Sequence, residues 1–178
     1  MLTDGELMIR LRKPEEEDVD IALEWFKKSD HFMGDALPVS SVSLSDMALG
    51  LIKAPSSYDS NDYLVIEAAE GPVGMALFHS INWKDRNAVM EIHLLPEKTK
   101  DNYALDAFHT AVLFAFQELN LHKICIYHAE DETEDDLIRI AEKAGAQKEQ
   151  ILKKHLCRKD KYYDVCVYGL LRSEYDNS

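Results

Sequence analysis

Two periods of apolar residues alternate along this chain, and the switches between them mark out its elements. Met8-Ile9-Arg10-Leu11-Arg12 places apolar and basic residues at every second position and predicts a short strand. Pro14 and the acidic run Glu15-Glu16-Glu17-Asp18 then open a helix, where negative charge complements the positive end of the dipole. Val19, Ala22, Leu23, Trp25 and Phe26 supply its apolar stripe. Residues 34–60 carry Pro38, Pro55 and many serines, with one weak helical period near 45–53. Tyr63-Leu64-Val65-Ile66-Glu67-Ala68 predicts a strand, Glu70-Gly71-Pro72 a turn, and 73–81 the return strand. Lys84-Asp85-Arg86-Asn87 is a second polar turn, and 88–95 a third strand stopped at Pro96, so the three form an antiparallel meander.

Residues 102–119 have apolar side chains around most of a helical circumference, which predicts a deeply buried helix. Lys123-Ile124-Cys125-Ile126-Tyr127 reads as an interior strand. Thr133-Glu134-Asp135-Asp136 has the spacing of a capping box. Leu137, Ile140, Ala141 and Ala144 form the packed face of the helix that follows, and Gly145 its stop. Residues 147–156 and 162–171 form a closing strand pair around a basic connection. The expected architecture is a single α/β (α+β) domain over residues 1–178. Its mixed, mostly antiparallel sheet has six to seven strands and is flanked by about four helices.

Composition narrows the partners. With 20 basic against 33 acidic residues the net charge is −13, which argues against nucleic acid and against an anionic membrane surface. A cationic small molecule or a basic protein terminus would be attracted, although solubility alone accounts for such a charge. Cys125, Cys157 and Cys166 are odd in number and contain no CxxC pair, so neither a disulfide framework nor a zinc site is expected. Residues 1–10 lack the apolar core of a signal peptide, and no apolar run reaches the roughly 18 residues of a membrane span. A cytoplasmic location is the expectation. His109 and His122 lack ligand spacing, and no metal is expected.

Several stretches, in order, carry a resemblance. Ile9-Arg10-Leu11-Arg12 with the helix containing Trp25, and Arg86-Asn87-Ala88 leading into a strand that ends at Pro96, resemble the RimJ/RimL-like branch of the Gcn5-type (GNAT) N-acetyltransferases. Phe114-Ala115-Phe116-Gln117-Glu118-Leu119-Asn120-Leu121-His122-Lys123-Ile124 is similar to that branch's helix-to-strand passage. Glu142-Lys143-Ala144-Gly145-Ala146, then Tyr163-Asp164-Val165 with Tyr168-Gly169-Leu170-Leu171, resemble its closing elements. The resemblance implies acetyl transfer from acetyl-CoA to a primary amine, of a small molecule or a protein N-terminus. It also implies pairing of two copies through sheet edges as a homodimer. In the family the pantetheine arm pairs with backbone in a gap after the fourth strand, here Leu94 and Leu95. The pyrophosphate sits on a glycine-rich turn that opens the next helix, here Lys100, Asp101, Asn102, Tyr103 and Ala104. A Glu on the fourth strand, here Glu91, acts as general base in several members.

The chain departs from the family loop Q/R-x-x-G-x-G/A, which aligns with Glu97-Lys98-Thr99-Lys100-Asp101-Asn102. Glycine admits close backbone approach and positive φ, whereas Lys100 adds bulk and Asp101 a repelling charge. Weak or absent acetyl-CoA binding is therefore expected. The family's frequent acid, a Tyr in the next helix, falls on Ala141, and its Asn on Glu134. Tyr163, within the Tyr162, Tyr163 and Tyr168 group, is the candidate replacement acid, packing being the plainer role for strand aromatics. Glu91 and His93 lie two apart on one strand and so share a face. Partial burial is expected to raise the Glu91 pKa and suit it to accept a proton, unless it pairs with a neighbouring Lys or His. Two functions follow: an acetyl-CoA-dependent N-acetyltransferase, or a binding or assembly module of the same fold with acetyl-CoA binding lost or impaired.

Overall fold

The computed structural model describes residues 9–19, 62–95, 103–130, 136–158 and 160–175. The elements expected over 20–60, the loop 97–102 and the capping box at 133–136 fall wholly or mostly outside them. The described chain runs β1 (Ile9–Arg12), a 3-10 turn (Glu16–Asp18), β2 (Asp62–Ala68), β3 (Gly71–Asn82), β4 (Asn87–Leu94) and helix α1 (Tyr103–Leu113). A π-helical turn (Phe114–Glu118) follows, then β5 (Lys123–Ala129), α2 (Asp136–Lys143), β6 (Gln147–Arg158), β7 (Lys161–Leu171) and the short α3 (Arg172–Tyr175). One seven-stranded sheet orders them β1-β2-β3-β4-β5-β7-β6. Every pairing is antiparallel except β4 with β5. This is the α+β architecture expected, with all seven strands and three α-helices among the described residues.

The core lies between one sheet face and helices α1 and α2. Ile66, Ala76, Phe78, Met90, Ile124, Cys166 and Leu170 come from the strands, Ala107, Phe108, Ala111 and Val112 from α1, and Ile138 and Ala141 from α2. Alanines spaced three and four apart let α1 approach the sheet closely. The helix is buried on one side only, however, since Leu105 is 43% exposed. The apolar ring expected around its circumference is therefore a stripe, because one sheet face covers a helix from one direction. On the other sheet face Val65, Met75, Leu77 and Val89 are buried as well.

Local chemistry fixes the element ends. The α2 helix stops as expected at Gly145 (φ +101°), where Gly145 N–H donates to Glu142 and Ala146 N–H to Ala141. That pair of bonds satisfies two orphan carbonyls. Helix α1 does not run evenly to Leu119: Leu119 N–H donates to Phe114 C=O, one residue further back than an α-helix allows. Near the chain start, Asp18 is the buried charged residue among those described, 3% exposed, and it accepts both ends of the Arg12 guanidinium at 2.6 and 2.8 Å. Arg12 also reaches Glu67 on β2 at 3.0 Å, tying the turn to the sheet. All three cysteines are free; Cys166 is buried as expected, Cys125 only half so. No described helix is long and apolar enough to cross a membrane.

Candidate active site

The parallel junction between β4 and β5 is short. Asn87, Ala88 and Val89 pair with Lys123, Ile124 and Cys125, and there the pairing ends. Beyond it β4 stays with β3 through Glu91↔Leu77 to Leu94↔Gly74, while β5 stays with β7 through Ile126↔Tyr168 to Ala129↔Val165. Each strand follows its outer partner, so the sheet opens into a V. The closed end is held by Arg86 C=O, which accepts from His122 N–H at 2.7 Å. Leu95 N–H donates to Val73 C=O at 2.9 Å. Successive strand residues point their backbone groups to opposite sides, so those of Leu94 and Ile92 turn away from β3 into the gap. Of the expected pair, Leu94 presents its backbone to the opening, whereas the Leu95 N–H is already bonded within the sheet.

A cavity of about 250 Å³ occupies the V. Met90, Glu91, Ile92 and His93 of β4 form one wall and Ile126, Tyr127 and Ala129 of β5 the other. Phe108 and Ile138 close it from the helices, and His155 and Leu156 approach from β6. Such a slot, mostly apolar with a few polar groups and an exposed strand edge, suits an extended ligand with amide groups. An acyl-pantetheine arm has that chemistry, so the residues present fit acetyl-CoA on this observation.

Glu91 and His93 meet at the cavity wall as their spacing requires. Glu91 Oε2 lies 3.0 Å from His93 Nε2, and its other oxygen, Oε1, lies 3.0 Å from Nε2 of His79 on β3. The expected rise in the Glu91 pKa does not occur. Burial does push it up, but the hydrogen bonds from His79 and His93 together outweigh burial and hold the carboxyl down, at about 2. The neighbouring-histidine pairing considered from sequence is what the side chains make. His79 had no sequence signal of its own: it belongs to another strand, and only the β3–β4 register brings it diagonally to Glu91.

The remaining sequence candidates are dispersed. Tyr163 is half-buried on β7 opposite Leu156 and does not line the cavity. Tyr127, which the alternation on β5 puts at the opening, does line it and is 46% exposed. Tyr103 and Ala104 begin α1, where first-turn N–H groups lack intrahelical acceptors. Lys100, Asp101 and Asn102 lie outside the described residues. Ala141 is fully buried in the core. Among the described residues no cluster of His, Cys, Asp and Glu could hold a metal ion.

Comparison with known proteins places this geometry. The acetyltransferase (GNAT) domain family matches residues 8–147. The chain is 27% identical over 115 residues to the spermidine N(1)-acetyltransferase of Vibrio cholerae serotype O1. It is 26% identical over 101 residues to the uncharacterised N-acetyltransferase YoaA of Bacillus subtilis. These alignments take in 65% and 56% of this chain, and they span 65% and 55% of those proteins' lengths. Among solved structures, the Vibrio cholerae spermidine N-acetyltransferase in complex with CoA and spermine superposes with a TM-score of 0.82 at 22% identity. That match covers 96% of this chain and 99% of the other. The spermidine/spermine N-acetyltransferase SpeG from the same organism, in complex with manganese ions, gives 0.77 at 24% identity, covering 96% of each chain. At these identities the structural likeness establishes the shared fold.

Proposed function

Because the chain belongs to the GNAT acetyltransferase family, we propose that it transfers an acetyl group from acetyl-CoA to the primary amine of a small cationic molecule, as a RimJ/RimL-like member. The observation that carries this reading is the β4/β5 opening, with the Glu91–His93 pair in the wall of its cavity. The backbone of Ile92 and Leu94 receives the pantetheine arm. The amides of Tyr103 and Ala104, at the start of α1, face the pyrophosphate, with Lys100, Asp101 and Asn102 the further candidates for it from sequence. Glu91, in the cavity wall, is the candidate base, accepting the amine's proton through water. Tyr127, on the cavity, takes the acid role that sequence alone gave to Tyr163. The net charge of −13 and the anionic Glu91 suit a cationic acceptor of either kind, and relatives named for spermidine favour a small amine over a protein N-terminus.

The test is release of free thiol from acetyl-CoA by the full chain, with spermidine and simpler primary amines as acceptors. Turnover that depends on the amine supports the proposal, and its absence with every acceptor rejects it. The second reading, a module with impaired acetyl-CoA binding, draws on Glu97, Lys100 and Asn102 in the loop and on the buried Ala141. It makes a separate prediction. Restoring the small residues with Lys100→Gly and Asn102→Gly should tighten acetyl-CoA about tenfold by calorimetry, or ~1.4 kcal/mol. Equal affinity would remove the loop from the account.

A further inference from the structure

A second cavity, of about 440 Å³, lies at the far end of helix α1, and we propose that it binds a small organic carboxylate with an apolar body. Leu113, Phe116 and Tyr175 form its apolar part, and Gln117, Asn120 and Arg172 its polar part. Three local features build it. The π-helical turn carries Phe116 and Gln117, and its wide ring closes with Leu119 N–H on Phe114 C=O. Asn120 then takes a left-handed backbone (φ +51°), which asparagine tolerates better than most residues, where the chain turns into β5. Arg172 N–H donates to His122 C=O at 3.0 Å, which seats the start of α3 beside that turn.

The charge of Arg172 is what this cavity leaves unanswered. Its guanidinium lies 5.8 Å from the centre of the Phe116 ring and donates through Nη1 to Asn120 Oδ1 at 3.2 Å. Among the described residues it meets no carboxylate, although acidic residues outnumber basic ones 33 to 20. Arg10, Arg12 and Arg139 each do meet one. Glu118, the acid nearest to Gln117 along the chain, does not line the cavity, and Glu174 is taken up by Gln147 and by Leu171 N–H. With Oδ1 engaged, Asn120 has its amide N–H groups left to offer, and the Nε–Nη2 edge of Arg172 has no acceptor among the described residues. Donors around one cavity call for a ligand that only accepts, and a carboxylate meets a guanidinium edge with two parallel hydrogen bonds. Leu113 and Tyr175 then cover an apolar body, which inorganic phosphate lacks. The Tyr103 and Ala104 amides stand at the opposite end of α1, roughly 20 Å away at 1.5 Å per residue. The site is therefore separate from the acetyl-CoA opening and does not depend on the transferase reading.

The probe is benzoate, titrated into the full chain and followed by NMR of the Arg172 Nε–H and the Gln117 and Asn120 side-chain amides. Saturable shifts should appear at these groups, with a Kd on the order of 1 mM for one ion pair and a small covered ring. Benzamide has the shape without the charge, and inorganic phosphate the charge without the body. Each should bind about tenfold more weakly or worse. Arg172→Gln should abolish the benzoate shifts at Gln117 and Asn120. Arg172 also stands by the negative end of the preceding helical turn, a role that needs no ligand and that this variant would disturb too. Gln117→Glu, on the exposed rim, keeps the arginine and sets a carboxylate beside it. It should weaken benzoate about fivefold by competing for the guanidinium. Equal binding of benzamide or phosphate, no saturation by about 20 mM benzoate, or an affinity unchanged in both variants would overturn the proposal.

Discussion

Gly74→Val loses about 3 kcal/mol of folding stability and most of the site with it. A Cβ at Gly74 would stand 2.4 Å from the carbonyl oxygen of His93 and 2.8 Å from Leu94 Cδ2, with Leu94 Cα at 3.2 Å. A side chain could give way, but a backbone carbonyl in a paired strand cannot move without its ladder. Gly74 faces Leu94 across the β3–β4 pair, where β4 has already parted from β5. The strain therefore falls on the free end of β4 and displaces His93 and Leu94 together. Overpacking of a well-packed interior costs about 1–3 kcal/mol and sometimes more, and contact with backbone puts this site at the upper end. Against a total stability of roughly 5–15 kcal/mol that is a large share. The urea midpoint of Gly74→Val should drop sharply, with Gly74→Ala displaced in the same direction by less. A midpoint matching wild type would show that β3 and β4 are not spaced as described.

Arg12→Ala should be comparably damaging, at about 3 kcal/mol, because it leaves the Asp18 carboxylate buried and uncompensated. Asp18 is held by both ends of the guanidinium and by Glu15 N–H at 2.7 Å. The Arg12 hydrogen bond, working against burial, keeps its pKa below the usual carboxylate value. A group whose folded pKa is depressed contributes stability that is present above its unfolded value, near 4, and lost as pH falls through the folded one. Glu67, bonded to Arg12 and Arg10, acts in the same sense. Wild type should lose stability as pH drops below about 4–5. Asp18→Asn should flatten that slope, as thermal melting against pH would record. An unaltered slope in Asp18→Asn would place the acid sensitivity elsewhere.

The contrast between these two devices shows what the sequence could reveal. Strand positions were readable because the alternation in Ile9-Arg10-Leu11-Arg12 and the short apolar runs Tyr63-Leu64-Val65-Ile66 and Ile124-Cys125-Ile126 are local properties. The Gly145 stop was readable for the same reason, since one residue with positive φ ends one helix. Glu91 with His93 was legible as a pair two apart on a strand. His79 was not, because it reaches Glu91 only through a register set by the whole β3–β4 hairpin. The direction of the Glu91 pKa was misjudged on that account: burial was foreseen, and the second histidine was not. Tyr127 was likewise hidden, since an aromatic in a strand gives no sign that its neighbouring strand departs two residues earlier. The one-sided burial of α1 was missed because composition around a helix does not say how many partners cover it. The Arg12–Asp18 pair was invisible since its charges sit in segments that read as a strand and an exposed helix start.

The central claim is that the opening between β4 and β5 receives the acyl-CoA arm through the backbone of Ile92 and Leu94. Backbone amide NMR of the full chain during acetyl-CoA titration tests it most directly. The account predicts saturable shifts and slowed hydrogen exchange at the Ile92 and Leu94 amides, with an affinity weaker than micromolar, on the order of 0.1 mM. The Leu95 amide, bonded to Val73, should change far less. Binding with the Ile92 and Leu94 amides unmoved, or no binding at millimolar ligand, would contradict it.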